Sequence, residues 1–321
     1  MIIKDIFAIE KKPLKGLLTV EWVILGYLVL TLLLVFFTYT KIQNPESLIW
    51  GRVRVVALTA AVWGVYRMYP CRFTLLCRVA LQMLLLSWWY PDTYSLNRIF
   101  PNLDHLFASY EQQLFGCQPA LLFSQTVTSP VFSELMYLGY VSYYPLIAAI
   151  AVYYFFKRYQ EFNRTVFVIL ASFFIYYVIF IFLPVTGPQY YYLAAGMDNI
   201  ANGIFPNVHD YFATHEESLP MAGYSDGMIY RSYLDTHTYG ERPTAAFPSS
   251  HVGITTILLF LAWRAKSRPL FWSMVPFYVL MCLATVYIRA HYVIDVFGGW
   301  VSAVIIYLLL QWLWSMTKRS Y

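Results

Sequence analysis

Apolar residues along this chain fall into eight long segments that are separated by polar or basic stretches. A helix crosses the hydrocarbon core of a bilayer with about 20 residues, and most of the segments approach that length. The second segment is short, and the third contains Arg78, whose charged end we expect to reach the near interface. The segments are residues 20–39, 53–66, 73–90, 132–156, 165–183, 250–263, 270–288 and 292–314. The pattern predicts an all-α polytopic membrane helix bundle with six to eight spans.

The composition agrees with a membrane protein. Hydrophobic residues make up 60% of the 321 residues and charged residues 12%, roughly half the charged fraction of a soluble domain. The net charge of +5 is not gathered into the basic face that a nucleic acid requires, so we expect no nucleic-acid partner. The four cysteines have no spacing typical of a metal site. We therefore expect no metal ion and no cofactor.

The positions of lysine and arginine predict how the bundle is oriented. If the N-terminus is cytoplasmic and the spans alternate, the basic turns at 157–158 and 264–268 are cytoplasmic too, as the positive-inside rule requires. Both termini then lie in the cytoplasm, and the lysine-rich N-terminal stretch precedes a first helix that is retained. The short termini favour a bacterial inner membrane, whose outer face is periplasmic; in a eukaryote that face would be luminal.

Two long segments are predicted on the outer face, residues 91–131 and 184–247. The first contains an amphipathic helix that Gly116 ends, with Asp104 and Glu111 away from its apolar stripe. The stripe comprises Leu103, Leu106, Phe107, Tyr110 and Leu114. We expect this helix to lie in the membrane interface.

The second outer segment is polar and loop-like, and it leads directly into a histidine-containing motif at 247–251. A long connection of this kind is usually functional, so we interpret 184–247 as a lid over a site. The chain is then one integral membrane domain, 1–321. Residues 1–90 form its N-terminal helices and 132–314 its catalytic core.

Two histidines and an aspartate lie at predicted helix ends and carry the candidate chemistry. Forty residues separate His251 from His291, about the length of two crossings, so both histidines are expected at one membrane face. Asp295 follows His291 by four residues, which places its carboxylate one helical turn away. Such a carboxylate holds an imidazole in one tautomer, and two imidazoles can serve as nucleophile and general acid in phosphoryl transfer.

Other polar residues near these ends are candidates for binding the phosphate group. Ser249 and Ser250 begin the predicted helix that carries His251, where they can cap the helix or donate hydroxyl hydrogen bonds. Arg289 either clamps phosphate oxygens or meets lipid headgroups. Arg242 is either a salt-bridge partner within the lid or a phosphate ligand. Glu134, early in a membrane segment, is either functional or simply interfacial.

The motifs Pro248-Ser249-Ser250-His251 and His291-x-x-x-Asp295 resemble the second and third signature motifs of the type-2 phosphatidic acid phosphatase and haloperoxidase superfamily. The resemblance covers roughly 132–314. It implies a core of about six membrane helices, like that of the lipid phosphatases, with the site at one membrane face. It also implies that His291 is the nucleophile, Asp295 its orienting partner and His251 the general acid.

Two departures from the phosphatase pattern modify this interpretation. Gly187 and Thr285 stand where the phosphatases carry arginines, which bind a phosphomonoester dianion. Their absence suits a phosphodiester with one negative charge, and the pattern is closer to the sphingolipid synthase branch, which includes inositol phosphorylceramide synthases. That resemblance implies a headgroup pocket shaped by the turn at Gly187, Gln189 and Tyr190.

Three functions follow as hypotheses. The first is a phosphotransferase that moves a phospho-headgroup from a membrane phospholipid to a ceramide-like lipid through a phosphohistidine. The second is a lipid phosphate or pyrophosphate phosphatase that uses the same histidines with water as acceptor. The third is a lipid-binding or transport protein without catalysis. Headgroup transfer, phosphate release, and lipid binding without turnover distinguish the three.

Overall fold

The computed structural model describes residues 3–240 and 242–317. Residue 241 of the predicted lid and residues 318–321 lie outside the described residues. The α-helices in chain order are α1 (Ile3–Phe7), α2 (Thr19–Phe37), α3 (Pro45–Met68), α4 (Arg72–Asn97), α5 (Asp104–Phe115), α6 (Pro119–Thr126), α7 (Pro130–Val141), α8 (Tyr143–Lys157), α9 (Tyr159–Phe182), α10 (Pro188–Ala195), α11 (Met197–Ala201), α12 (Met228–Gly240), α13 (Ser250–Arg264), α14 (Arg268–Tyr287) and α15 (Val293–Thr317). Short 3-10 helices cover Tyr39–Lys41 and Tyr211–Ala213. The predicted all-α fold is confirmed.

Within the described residues, six helices are long and apolar enough to cross a membrane, namely α2, α3, α4, α9, α14 and α15. The helices α7 and α8 bend by 45° at Ser142, and they add a seventh crossing if together they form one span. The apolar helix α13 has only 15 residues and is shorter than an ordinary span. The number of spans therefore falls within the predicted range of six to eight. The second apolar segment, which is short, and the third, which contains Arg78, both lie within long helices, α3 and α4.

Two buried ion pairs join the N-terminal helices. Arg78 is fully buried, and its Nη2 lies 2.5 Å from Oε2 of Glu21 in the first turn of α2. Arg52 on α3 is also buried, and it donates to both carboxylate oxygens of Asp92 at 3.0 and 2.9 Å. A charge far from water requires a partner, which each arginine finds on a neighbouring helix.

The catalytic-core region is formed by α7, α8, α9, α13, α14 and α15. The short helix α13 packs against α8, α9, α14 and α15, so it is enclosed by the other helices of the core. The central helix α9 also contacts α2 and α4 and thereby joins the N-terminal helices to the core. The beginning of α13 and the beginning of α15 consequently lie side by side at one end of the bundle.

The two outer segments are more structured than their sequence predicts. The amphipathic helix forms as α5 and ends at Gly116, which adopts a left-handed conformation. However, its buried face contains Asp104, Ala108 and Glu111, while Leu106, Tyr110 and Leu114 of the apolar stripe are exposed. The carboxylates thus point into the protein, and three side chains of the apolar stripe are exposed, as a helix in the membrane interface requires.

The segment 184–247, predicted to be loop-like, contains α10, α11 and α12. The carboxylate of Glu134 on α7 receives hydrogen bonds from the backbone N–H groups of Ile229 at 2.9 Å and Tyr230 at 3.1 Å. An acidic side chain at this position satisfies the free N–H groups at the start of α12 and favours its dipole. Glu134 therefore anchors a lid helix to the core.

Candidate active site

His251 and His291 meet at the end of the bundle where α13 and α15 begin. Their ring centroids are 5.8 Å apart, with an angle of 66° between the ring planes. His251 lies in the first turn of α13, and His291 lies two residues before α15. The proximity of the two imidazoles allows one phosphoryl group to contact both, as paired nucleophilic and acid catalysis requires.

Asp295 lies next to His291, as the spacing of four residues predicts, although His291 itself precedes the helix. The distance from His291 Nδ1 to Asp295 Oδ2 is 3.4 Å, and both side chains are buried. The same carboxylate oxygen accepts a hydrogen bond from the backbone N–H of Tyr292 at 2.8 Å. The backbone N–H of His291 donates to the carbonyl of Thr285 at 3.0 Å. These contacts direct Nδ1 toward the carboxylate and leave Nε2 as the ring nitrogen available for substrate.

Two tyrosines form the walls around His251. The ring centroids of Tyr140 and Tyr143 each lie 4.5 Å from that of His251. The tyrosines stand on either side of Ser142, where α7 ends and α8 begins, so the bend in this span brings both rings to the histidine. Nothing in the local pattern distinguishes these tyrosines from the other aromatic residues at helix ends.

Ser249 links the two signature motifs. Its backbone N–H donates to the carbonyl of Asp295 at 3.0 Å, and its hydroxyl accepts a bond from the backbone N–H of Val252 at 3.4 Å as the cap of α13. The two helices approach each other so closely that a Cβ at Gly299 would lie only 2.8 Å from the carbonyl oxygen of Ser249. The absence of a side chain at Gly299 therefore permits this contact. Ser250, half-buried, is the first residue of α13, whose N-terminus favours an anion.

The turn at Gly187, Gln189 and Tyr190 is bound to the backbone just before His291. The N–H of Gln189 donates to the carbonyl of Arg289 at 2.9 Å, and the Tyr190 side chain is buried. Gly187 has φ +94°, and a Cβ there would lie 2.5 Å from the carbonyl oxygen of Ala290. A side chain at Gly187 is therefore strained in φ and in collision with backbone. An arginine cannot take this position without displacing the segment that carries His291.

Asp104 connects this turn to the segment that carries His291. Its carboxylate accepts bonds from the backbone N–H groups of Thr186 at 2.6 Å and Gly187 at 2.9 Å, and from the hydroxyl of Tyr292 at 3.0 Å. Asn102 also donates to it. Burial raises the pKa of the Asp104 carboxyl, and the donated hydrogen bonds oppose that rise. The sequence pattern assigns Asp104 to the polar side of α5, although its spacing of seven from Glu111 places both acids on one face.

Glu111 on the same face of α5 reaches the start of α15. Its Oε1 accepts a hydrogen bond from the backbone N–H of Ile294 at 3.1 Å, and the side chain is buried. Burial raises the pKa of the Glu111 carboxyl from 4.5 to about 7, and the nearby charge of Asp295 contributes to the rise. Glu111 therefore titrates near neutral pH within reach of the proposed catalytic residues.

We expect this carboxyl to make the stability of the protein depend on pH. The pKa of Glu111 is higher in the folded state than in the unfolded state. Its contribution to the free energy of unfolding is therefore fully present below about pH 4.5 and is lost as the pH rises through about 7. The melting temperature in detergent should therefore fall over this interval, and Glu111→Gln, which keeps an acceptor for Ile294, should flatten the fall. Equal slopes for the wild type and the variant would exclude Glu111 as the titrating group.

The two arginines proposed as phosphate ligands have different surroundings. Arg289 is half-buried, has φ +67°, and donates from Nη2 to the carbonyl of Pro220 at 2.5 Å. It precedes His291 by two residues, and its guanidinium is bound to the segment 184–247. Arg242 instead forms an exposed ion pair with Glu216, within the lid. Arg242 was expected to be either a salt-bridge partner within the lid or a phosphate ligand, and the structure contains the salt bridge.

The lid helix α12 contributes to the wall beside His251. The ring of Tyr233 lies 5.4 Å from that of Tyr140 and 5.1 Å from that of Tyr137, and Tyr233 is almost fully buried. A continuous aromatic contact thus leads from the lid through Tyr140 to His251. Among the described residues, no group of three or more histidine, cysteine or acidic side chains is arranged to hold a metal ion.

Residues 105–309 of the chain match the PAP2 superfamily. Among solved structures, the chain is similar to a transmembrane PAP2-type phosphatidylglycerolphosphate phosphatase from Bacillus subtilis, with 16% sequence identity and a TM-score of 0.37. That similarity covers 66% of this chain and 92% of the Bacillus protein. No curated protein matches the chain significantly.

Proposed function

The chain belongs to the PAP2 superfamily, and we propose that it transfers a phospho-headgroup from a membrane glycerophospholipid to the hydroxyl of a ceramide-type lipid. The observation that carries this proposal is that neither of the two positions at which the phosphatase pattern has an arginine has room for that side chain. Gly187 has no space for a side chain beside Ala290. Thr285 is fully buried, and its hydroxyl donates to the carbonyl of Cys282 at 3.0 Å.

The charge of the substrate connects this observation to the reaction. A phosphomonoester dianion needs more cationic partners than a phosphodiester, which carries one negative charge. Arg289 precedes His291 by two residues, and the N-terminus of α13 lies beside His251. These groups suit a phosphodiester, and they supply the electrostatic stabilisation that the reaction needs without a metal ion.

In the first proposed step, His291 Nε2 attacks the phosphorus of the donor lipid. A nitrogen–phosphorus bond forms, the bond from phosphorus to the diacylglycerol oxygen breaks, and His251 gives its proton to that oxygen. Asp295 stabilises the charge that develops on the His291 ring across the 3.4 Å contact at Nδ1.

In the second step, His251 acts as the base. It takes the proton of the acceptor hydroxyl as the acceptor oxygen bonds to phosphorus and the bond to His291 breaks, which restores both imidazoles. Tyr140 and Tyr143 beside His251 restrict where the acceptor can approach. The lid, with Gln189 and Tyr190, would shape the headgroup pocket.

We further propose that the two histidines face the periplasm, or the lumen in a eukaryote, and that both termini are cytoplasmic. This orientation is supported by the basic turns at 157–158 and 264–268, which lie at the opposite ends of α8, α13 and α14 from the histidines.

A phosphatase that uses water as acceptor is the second candidate. It is favoured by the superfamily itself and by Arg289, an arginine two residues before the proposed nucleophile. The substrate would then be a lipid phosphomonoester: His291 would attack its phosphorus, the lipid alcohol would leave with a proton from His251, and water would release inorganic phosphate from the phosphohistidine.

Mass spectrometry of lipid products distinguishes these functions. Purified protein in detergent is given mixed phospholipids and ceramide, with His251→Ala as control. We expect a new phosphoceramide and diacylglycerol that the variant does not form. Diacylglycerol with free phosphate and no new sphingolipid would identify a phosphatase. Binding of lipid with no turnover of any phospholipid would contradict both enzymatic proposals.

A further inference from the structure

We propose that a cavity at the end of the bundle opposite the two histidines binds an anionic phospholipid from the adjacent membrane leaflet. The cavity has a volume of about 1070 Å³ and lies where α13 ends and α14 begins. Its wall is completed by the turn between α8 and α9 and by the middle of α15. This volume is sufficient for a lipid headgroup and the first part of its chains.

The polar wall of the cavity is strongly cationic. Arg158, Arg264, Lys266 and Arg268 line it, and Glu161 is the one carboxylate among its lining residues. That carboxylate is shared by two of the cations: Arg158 Nε donates to Oε1 at 2.7 Å, and Arg264 Nε lies 3.4 Å from Oε2. A single acid cannot neutralise four cations, so the wall attracts an anionic ligand.

The other wall of the cavity is apolar and open to the membrane. It includes Phe271 and Val304, together with Trp272 and Leu308, whose side chains are 64% and 61% exposed. Exposed tryptophan is typical of the level at which headgroups meet hydrocarbon. Phosphate on the cations and an acyl chain along the aromatic and aliphatic side chains would together cover both walls, which a free anion would not.

The length of α13 explains why cations reach this depth. With 15 residues this helix is about 22 Å long, whereas the hydrocarbon core is about 30 Å thick. The basic turn that follows α13 therefore lies beside Val304 and Leu308 of the longer helix α15. Cations beside a lipid-facing surface require a counter-charge, and a headgroup phosphate provides it.

This site is separate from the reacting histidines. His251 is the second residue of α13 and Arg264 the last, so about 20 Å of helix lies between the catalytic end and the cavity. A lipid in the cavity would occupy the other leaflet and would hold the ends of α13 and α14 together. Its binding does not depend on the proposed reaction.

Native mass spectrometry of the delipidated protein tests this proposal. The His291→Ala background prevents turnover, and the probes are phosphatidylglycerol and phosphatidylcholine with identical chains. We expect preferential retention of phosphatidylglycerol. The double variant Lys266→Gln with Arg268→Gln should bind this lipid more weakly, by about fivefold for each cation removed. Lys41→Gln with Arg231→Gln, exposed cations elsewhere, makes the same change in net charge and should leave retention unaltered.

Equal retention of the two lipids, or equal phosphatidylglycerol binding by the two double variants, would overturn the proposal. Displacement of the bound lipid by millimolar inorganic phosphate would also overturn it, because the site would then bind phosphate alone. Brominated phosphatidylglycerol gives an independent readout, since it should quench tryptophan fluorescence more in the protein with Trp272 than in Trp272→Phe. No difference in quenching would place the lipid elsewhere.

Discussion

His291→Ala should reduce turnover of the donor lipid by at least about 10⁴-fold, the scale on which removal of a nucleophile acts. The imidazole lies beside the carboxylate of Asp295 and opposite His251, and no other described histidine occupies that position. The variant should also form no covalent adduct when the donor carries a labelled phosphate. Product analysis and acid-quenched labelling of purified protein measure the two effects.

A matched comparison gives this prediction its meaning. His251→Ala should lose about 10²- to 10⁴-fold, since a missing general acid slows the step without removing the nucleophile. His215→Ala should keep wild-type activity, because that exposed ring stacks on Tyr211 within the lid segment. Wild-type transfer by His291→Ala would show that another group attacks phosphorus.

Asp104→Ala should destabilise the protein by about 3 kcal/mol or more and reduce activity as well. The substitution leaves buried donors on Thr186, Gly187 and Tyr292 without their acceptor, and each unsatisfied group costs about 1–3 kcal/mol. The same contacts hold the Gly187 turn against the residue after His291, so catalytic geometry depends on them. Thermal unfolding in detergent and turnover at saturating lipid measure the two losses.

Two milder variants separate the contributions at this position. Asp104→Asn retains one carbonyl oxygen and should lose less stability than the alanine variant. Tyr292→Phe removes a single donor to Asp104 and should cost about 1 kcal/mol. If Asp104→Ala matched the wild type in melting temperature and turnover, the carboxylate would not be the group that connects the turn to the catalytic motif.

Hydrophobicity along the chain predicts the helical membrane fold and the approximate position of most spanning helices, although α3 and α4 extend beyond their apolar segments and α13 is shorter than an ordinary span. Within a bilayer, a segment must satisfy its backbone hydrogen bonds internally, so hydrophobicity over a local window decides whether it forms a spanning helix. The meeting of His251 and His291 also follows from local information, because a stretch of two spans returns the chain to the same face. The spacing of His291 and Asp295 was sufficient to bring their side chains together.

The tertiary structure decided how the polar residues are partnered. Asp104 and Tyr292 are 188 residues apart in the chain, and Arg78 and Glu21 are 57 apart, so no periodic pattern connects them. The local rule that acidic residues of an amphipathic helix face water fails for α5. Its carboxylates instead accept hydrogen bonds from buried backbone N–H groups of distant segments. Polar burial in a membrane protein depends on which partner is near, and only the packed bundle determines that.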